Sequence, residues 1–123
     1  MSYRLYQYNK CSTCRAAIKF LKAKEIEFEV IDISSQIPSR DELNQVIDFY
    51  NGDHKKLFNT AGRVYRELGL KDKVAFFSRE EAIAQLRSDG MLIKRPLLIS
   101  NSISIAGFNG IKWEEVIKKG RSE

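Results

Sequence analysis

Two cysteines at the junction between a strand-like and a helix-like segment constrain the fold of this chain most. Tyr3 to Tyr8 mixes aromatic residues with leucine and predicts a first strand, and a loop of Asn9 to Ser12 follows it. The motif Cys11-Ser12-Thr13-Cys14 therefore spans the end of this loop and the start of the next segment. The apolar spacing from Thr13 to Lys24 predicts a helix, and the β-branched segment Phe28 to Ile33 predicts a second strand. Short connections between these segments predict a right-handed βαβ unit with parallel strands.

The middle of the chain carries the start and stop signals of helices. Two capping boxes predict helix starts, glycine-containing stops predict helix ends, and one short apolar segment predicts a turn. In chain order these signals are Ser39 with Glu42, Asn51-Gly52, Leu57-Phe58, Gly69, Ser78 with Glu81, and Gly90. We therefore expect helices between the second strand and the rest of the sheet.

The C-terminal part returns to strand-like spacing before a last helix. Leu97 to Ile99 and Ile103 to Ile105 predict two strands joined in a hairpin at Asn101-Ser102, and Trp113 lies in the inner face of the final helix. The order βαβ, helices, ββα predicts an α/β protein of three layers on a mixed four-stranded sheet. The length of 123 residues predicts one domain, 1–123.

Composition excludes several classes of function. No apolar run approaches the roughly 20 residues that span a bilayer, and the N-terminus lacks the pattern of a secretory signal. We therefore expect a cytoplasmic protein that binds no membrane. Two cysteines and one histidine are too few for a disulfide scaffold or for the usual zinc ligands, so we expect no metal. No helix-turn-helix or basic–aromatic stripe indicates direct nucleic-acid binding.

The positive charge is concentrated around the cysteine pair. The net charge is +5, residues 1–24 carry six basic side chains and no acidic one, and the remainder is nearly balanced. One interpretation is an ordinary solvated helix face. The other is a positive field that stabilises a thiolate or attracts an anionic substrate.

Cys11 and Cys14 are the candidate catalytic residues. A C-x-x-C motif that opens a helix within a βαβ unit is typical of thiol–disulfide chemistry, because the helix N-terminus favours a thiolate. Lys10 and Arg15 flank the pair and add positive charge. Cys14 continues the apolar stripe of the helix and should be buried, so we assign Cys11 as the attacking thiolate and Cys14 as the resolving thiol. Two inert buried cysteines, a zinc site and a passive disulfide staple are the alternatives.

Arg95-Pro96, just before the third strand, is a second candidate site. Pro96 is compatible with a simple strand start, where its missing N–H does no harm. It is equally compatible with a cis peptide beside the cysteines, with Arg95 directed at a bound anion. The residues alone leave both interpretations open.

Five segments resemble the arsenate reductase/Spx family, from one end of the chain to the other. They are Cys11 to Arg15, Leu57 to Gly62, Tyr65 to Lys73, Ser88 to Pro96, and Gly107-Phe108. The resemblance implies a thioredoxin-like (glutaredoxin-like) fold with a helical insertion at about residues 39–90, and a cis bond before Pro96.

The arsenate reductases of this family use one N-terminal cysteine, which Cys11 matches, and glutathione with glutaredoxin recycles it. They surround the oxyanion with three arginines, of which the resemblance carries over only Arg95. Asn59 and Gly107 stand at the other two positions, so we expect weak arsenate binding, because charge-assisted hydrogen bonds contribute about 1.5–3 kcal/mol each. Arg63 or Arg15 could substitute.

The Spx-like branch of the family consists of regulators with a C-x-x-C redox switch, which Cys11 and Cys14 match. They bind the C-terminal domain of the RNA polymerase α subunit through a surface that includes a glycine. Gly52 is the nearest candidate, one residue out of register, and it also fits a simple helix stop. Phe58 to Gly62 and Arg66 to Gly69 most resemble a third set of family members with no settled activity.

The sequence thus predicts a monomeric, thiol-dependent oxidoreductase with a redox-active Cys11–Cys14 pair and glutathione or thioredoxin as electron donor. The alternative is an Spx-like regulator that binds the RNA polymerase α subunit. The candidate substrate-binding residues are Arg95, Pro96, Lys10, Arg15 and Asn59.

Overall fold

A computed structural model describes residues 2–121 of the chain. The strands are β1 (Tyr3–Gln7), β2 (Phe28–Asp32), β3 (Leu97–Ile99) and β4 (Ser104–Ala106). The α-helices are α1 (Ser12–Ala23), α2 (Arg40–Phe49), α3 (Arg63–Glu67), α4 (Arg79–Ser88) and α5 (Gly110–Arg121). Short 3₁₀ turns occupy His54–Leu57, Leu70–Asp72, Val74–Phe76 and Gly90–Leu92. Within the described part, no helix is both long and apolar enough to cross a membrane.

The two ends of the chain build a sheet unit, Met1–Asp32 with Arg95–Glu123, and the middle builds a helical unit, Ile33–Lys94. The helical unit extends beyond the expected 39–90 on both sides. Residues just outside 39–90 belong to this unit because they form hydrogen bonds with residues inside that range. Arg87 Nε donates to the carbonyl of Pro38 at 3.1 Å, and the Lys94 N–H donates to the carbonyl of Leu57 at 2.8 Å. One domain over 1–123 stays a prediction.

The sheet unit contains the mixed four-stranded sheet that the sequence predicts, in the order β2-β1-β3-β4. β1 runs parallel to β2 and antiparallel to β3, and β3 pairs antiparallel with β4. β4 begins one residue later than predicted, because Ile103 belongs to the hairpin turn. There Ser100 N–H donates to the Ile103 carbonyl at 2.7 Å, and Ile103 N–H donates to Ser100 Oγ at 3.1 Å.

The core of the sheet unit is an apolar cluster between the sheet and the helices α1 and α5. Trp113 of α5 is fully buried, and its ring meets Phe20 and Phe108 edge-on at centroid distances of 6.2 Å and 5.0 Å. Its indole Nε1–H donates to the carbonyl of Gly107 at 2.8 Å, so the polar atom of this ring is satisfied inside the core. Ala17 and Leu21 of α1 face the same cluster. This packing fixes α1, and therefore the cysteine motif at its start.

The helical unit confirms both predicted capping boxes. Ser39 Oγ accepts from the N–H of Glu42 at 3.1 Å while the Glu42 carboxylate accepts from the N–H of Ser39 at 3.0 Å. Ser78 and Glu81 form the same reciprocal pair at 3.1 Å and 2.8 Å. Two orphan donors at each helix start are therefore paired.

The helix α4 ends at Ser88 with Asp89 as its C-cap, so it stops directly before Gly90, as predicted. Gly90 is not among the glycines with positive φ, however, and it begins the 3₁₀ turn that follows, with Asp89 as the cap of that turn. A Cβ at position 90 would collide with the main-chain carbonyl oxygen of Ile33. Glycine is therefore required here for close approach of two backbones rather than for a left-handed conformation.

We expect Gly90→Ala to lower the free energy of unfolding by about 1–3 kcal/mol, the usual range for overpacking a filled site. Gly110→Ala is the matched control, because a Cβ there has room, with its nearest contact at 3.8 Å from the Phe108 ring. Urea denaturation followed by far-ultraviolet circular dichroism measures both variants. Equal midpoints for Gly90→Ala and the wild type would contradict the steric argument.

Candidate active site

Cys11 is the N-cap of α1, and its sulfur takes the place of the oxygen that usually caps a helix. Its backbone is extended, with φ −108° and ψ 112°, and its Sγ accepts a hydrogen bond from the Cys14 main-chain N–H at 3.2 Å. Its own N–H donates to the Tyr8 carbonyl at 3.1 Å, and its carbonyl accepts from the N–H of Arg15 at 3.2 Å. The half-buried sulfur therefore lies at the positive end of the helix, where negative charge is stabilised.

Cys14 lies one turn into α1 and is fully buried. Burial raises the pKa of its thiol to about 12, and the hydrogen bond and negative charge of Cys11 add to this rise. A hydrogen bond from the Tyr8 main chain and the charge of Arg95 act in the opposite direction. Both thiols are free in the structure. Cys14 is thus neutral at physiological pH, beside a more accessible Cys11.

Arg95 and Pro96 lie at the same end of the sheet as the cysteine motif. The bond between them is cis, as the resemblance implied. Arg95 is half-buried, its guanidinium carbon lies 5.7 Å from the centre of the Tyr8 ring, and its charge acts on Cys14. Pro96 is buried, and its carbonyl accepts from the N–H of Gly107 at 2.8 Å. The structure therefore brings together Cys11, Cys14, Arg95 and Pro96.

Lys10 and Arg15 flank the motif as exposed side chains. Arg15 Nη1 donates to the carbonyl of Asn9 at 3.0 Å, which joins the first turn of α1 to the loop before it. The exposed guanidinium therefore braces the loop.

Asn59 belongs to the helical unit, where its groups serve local structure. Its N–H donates to the carbonyl of Leu92 at 2.8 Å, its Nδ2 donates to that of Met91 at 3.4 Å, and its own carbonyl accepts from Gly62 at 3.1 Å. A substrate-binding role for Asn59 stays a prediction.

Tyr8 is the site residue that sequence reasoning missed. The strand prediction included it, but β1 ends at Gln7, and Tyr8 turns into the loop. From there its main chain bonds both cysteines while its ring lies against Arg95. The sequence signal that could have identified Tyr8 was its position three residues before Cys11. Among residues 2–121, no group of three or more His, Cys, Asp and Glu side chains is arranged to hold a metal ion.

The sheet order and a cysteine pair at the start of the first helix define a thioredoxin-like thiol protein. Residues 6–116 match the model of the ArsC family, and the chain belongs to that family.

The uncharacterized protein YusI of Bacillus subtilis is 44% identical over 115 residues, which are 94% of this chain and 98% of that protein. The crystal structure of a possible arsenate reductase from Streptococcus mutans is 41% identical, with a TM-score of 0.81 over 87% of this chain and 91% of that one. The global transcriptional regulator Spx of Streptococcus mutans is 26% identical over 105 residues, 85% of this chain and 75% of that protein.

Removal of the Arg95 charge should raise the pKa of Cys14, because this cation is one of the two groups that lower it. We expect Arg95→Ala, in a Cys11→Ala background, to shift the thiolate titration of Cys14 upward, so that less thiolate is present at a given pH. Arg95→Lys should retain most of the effect, because the charge remains. Ultraviolet absorbance of the thiolate against pH measures the titration.

Arg40→Ala, at the exposed start of α2, is the control for this titration. Superimposable curves for the Arg95 and Arg40 variants would mean that the guanidinium does not act on Cys14.

Proposed function

We propose that the protein is a thiol-dependent oxidoreductase in which Cys11 attacks a small or thiol-bound substrate and Cys14 resolves the product. The observation that carries this proposal is the asymmetry of the pair. Cys11 Sγ is half-buried and accepts the Cys14 N–H at 3.2 Å, whereas Cys14 is fully buried with its pKa raised to about 12. The Cys11 sulfur is the more accessible and accepts a main-chain hydrogen bond at the helix start, whereas the Cys14 sulfur is a buried, neutral thiol.

The first step forms a mixed disulfide. The Cys11 thiolate attacks one sulfur of a disulfide substrate, forms a bond to it, and expels the other sulfur as a thiolate that takes up a proton. The Cys11 sulfur then carries no negative charge. The contribution of that charge to the raised pKa of Cys14 disappears, while the Tyr8 hydrogen bond and the Arg95 charge still lower it.

The second step follows from this change. Cys14 loses its proton more readily, attacks the sulfur of Cys11, and releases the bound thiol. The protein is then oxidised by two electrons to a Cys11–Cys14 disulfide, and the substrate has gained two electrons and two protons. Two thiols of glutathione, or one dithiol of a glutaredoxin or thioredoxin, return the pair to the reduced state. Formation of the first bond thus favours formation of the second.

Arsenate itself should be a poor substrate. The resemblance assigns three arginines to the oxyanion, and this chain carries only Arg95 of them. Gly107, at one of the other positions, has φ +76°, a conformation that strains any residue with a side chain. We propose that Arg95, with Pro96, Lys10 and Arg15 near the cysteines, orients an anionic group of a different substrate. We further propose that the protein acts as a cytoplasmic monomer.

We expect the two cysteines to respond differently to oxidised glutathione. Cys14→Ser should accumulate one glutathione in mixed disulfide on Cys11, because no thiol remains to resolve it. Cys11→Ser should form at least tenfold less adduct, since the buried Cys14 is mostly protonated near pH 7. Intact-mass spectrometry after acid quenching measures both.

The wild type is the control for the trapping experiment. It should end as an internal disulfide with no lasting glutathione adduct. Equal labelling of Cys11→Ser and Cys14→Ser would show that the assigned order of attack is wrong.

A second candidate function is redox-dependent binding to the RNA polymerase α subunit. The specific support is the 26% identity to the Spx regulator of Streptococcus mutans. The resemblance to the Spx-like branch adds a C-x-x-C switch, which Cys11 and Cys14 match. Gly52 is the candidate contact residue, but it also follows the end of α2 with φ +88°, where glycine is needed for the turn. A switch also requires that its two redox states differ in affinity for the partner.

Turnover and binding separate the two candidates. We expect NADPH-coupled reduction of glutathione-mixed disulfides, with glutathione or thioredoxin as donor, to fall at least a hundredfold in Cys11→Ser, because the nucleophile is lost. Calorimetry should detect no micromolar binding of either redox form to the C-terminal domain of the polymerase α subunit. Tight binding of only the oxidised form, without turnover on either donor, would favour the regulator.

A further inference from the structure

The exposed side of α1 carries three cations beside one apolar side chain. Arg15, Lys19 and Lys22 are exposed, whereas Ile18 is half-buried because it packs against the core cluster. Together with Ala23 these residues line an open groove of about 620 Å³. The spacing of positions 15, 18, 19 and 22 places these four on one side of a helix. We call this set the basic face.

Charge on the basic face is not neutralised within the part of the chain that the structure describes. No carboxylate among residues 2–121 forms an ion pair with Arg15, Lys19 or Lys22. Lys24, just beyond the helix, does form one, with Glu114 at 2.6 Å. The first acidic residue of the chain is Glu25, so α1 itself supplies no negative charge. The face therefore presents an uncompensated positive field to solvent.

The basic face begins at the reactive sulfur. Cys11 caps the helix, Arg15 lies about one turn further, and Lys22 lies roughly 16 Å along the axis. A partner protein that covered this length of α1 would bury an area typical of a weak, transient interface. It would bring its own sulfur to Cys11, on the exposed side of α1 that adjoins the buried stripe of Cys14 and Leu21.

We propose that the basic face docks a protein whose acidic residues flank an exchangeable disulfide, and that docking delivers that disulfide to Cys11. The proposal rests on the proposed function and adds the chemistry of its partner. The exchange is the one described above: Cys11 and Cys14 lose two electrons and become a disulfide, and the partner's disulfide becomes two thiols. Charge complementarity accelerates encounter, whereas Ile18 supplies the apolar contact.

An acidic protein fits this face better than a nucleic acid. Three cations on one short helix would neutralise few phosphates, and a polyphosphate offers Cys11 nothing to exchange with. A disulfide flanked by acidic residues would interact with both the positive field of the basic face and the Cys11 sulfur beside it.

Two synthetic peptide disulfides test the proposal. One is the homodisulfide of a cysteine peptide flanked by Asp and Glu, and the other carries Asn and Gln at the same positions. We expect the acidic peptide to oxidise the wild type about tenfold faster at low ionic strength, and this advantage to fall below about twofold at roughly 0.5 M salt. Quenched alkylation with mass spectrometry follows the loss of free thiols.

Charge variants assign the effect to the basic face. Lys19→Glu/Lys22→Glu should abolish the preference for the acidic peptide and leave the rate with the neutral peptide unchanged. Lys112→Glu/Lys118→Glu, which makes the same charge change on α5, should retain most of the preference. Lys19→Gln/Lys22→Gln should give an intermediate preference, and it replaces the reversal variant if that variant does not fold.

Failure of this proposal differs from failure of the proposed function. Equal wild-type rates with the two peptides overturn the docking proposal alone, as does a preference that survives in Lys19→Glu/Lys22→Glu. Oxidation by neither peptide overturns the function and the docking proposal together. Binding of a labelled DNA duplex that requires Lys19 and Lys22, without any peptide preference, would reassign the face to nucleic acid.

Discussion

The antiparallel register between β1 and β3 positions the two segments that form the candidate site, the loop after β1 and the cis bond before β3. Tyr6 pairs with Leu97, and continuing this register two residues further sets Tyr8 opposite Arg95. The stacked contact of 5.7 Å between the Arg95 guanidinium and the Tyr8 ring agrees with that alignment. Because Tyr8 leads directly to Cys11, one pairing brings the loop before α1 and the cis bond before β3 to the same end of the sheet. The β3–β4 register extends the arrangement by setting Gly107 beside Pro96.

A single helix start then makes two chemically different thiols. The N-cap position places the Cys11 sulfur beside the N–H groups of the first turn, which have no carbonyl partner within the helix. The Cys14 N–H is one of them, and it donates to the Cys11 sulfur. The same turn carries the Cys14 side chain into the apolar interior, where ionisation is costly. The spacing of three residues therefore links the two roles: the residue whose amide supports one sulfur is also the residue whose sulfur is buried.

Local sequence signals predicted most elements, because capping boxes and strand periodicity depend on neighbouring residues. They identified Ser39 with Glu42, Ser78 with Glu81 and the four strands, and the exposure of Cys11 relative to Cys14 followed from the stripe on α1. The end of α4 before Gly90 was predicted, but the close approach of the Ile33 carbonyl to Gly90 was not, because Ile33 is distant in sequence. The contact of Tyr8 with Arg95 was missed for the same reason, since it requires the register of two strands.

The backbone at Gly107 limits which substrates such a site can hold. Its φ of +76°, its N–H bond to Pro96 and its carbonyl bond to Trp113 fix it between the cis peptide and the core. An arginine there would carry backbone strain, of order 1–3 kcal/mol, before it contributed any charge. An oxyanion that needs several fixed cations is therefore disfavoured by the main chain as well as by the side chains. A disulfide needs no such clamp, because its negative charge develops on a leaving sulfur that a proton neutralises. A site in which Arg95 is half-buried, Lys10 and Arg15 are exposed and the two thiols are unequal is thus better suited to exchange between sulfurs than to capture of a free oxyanion.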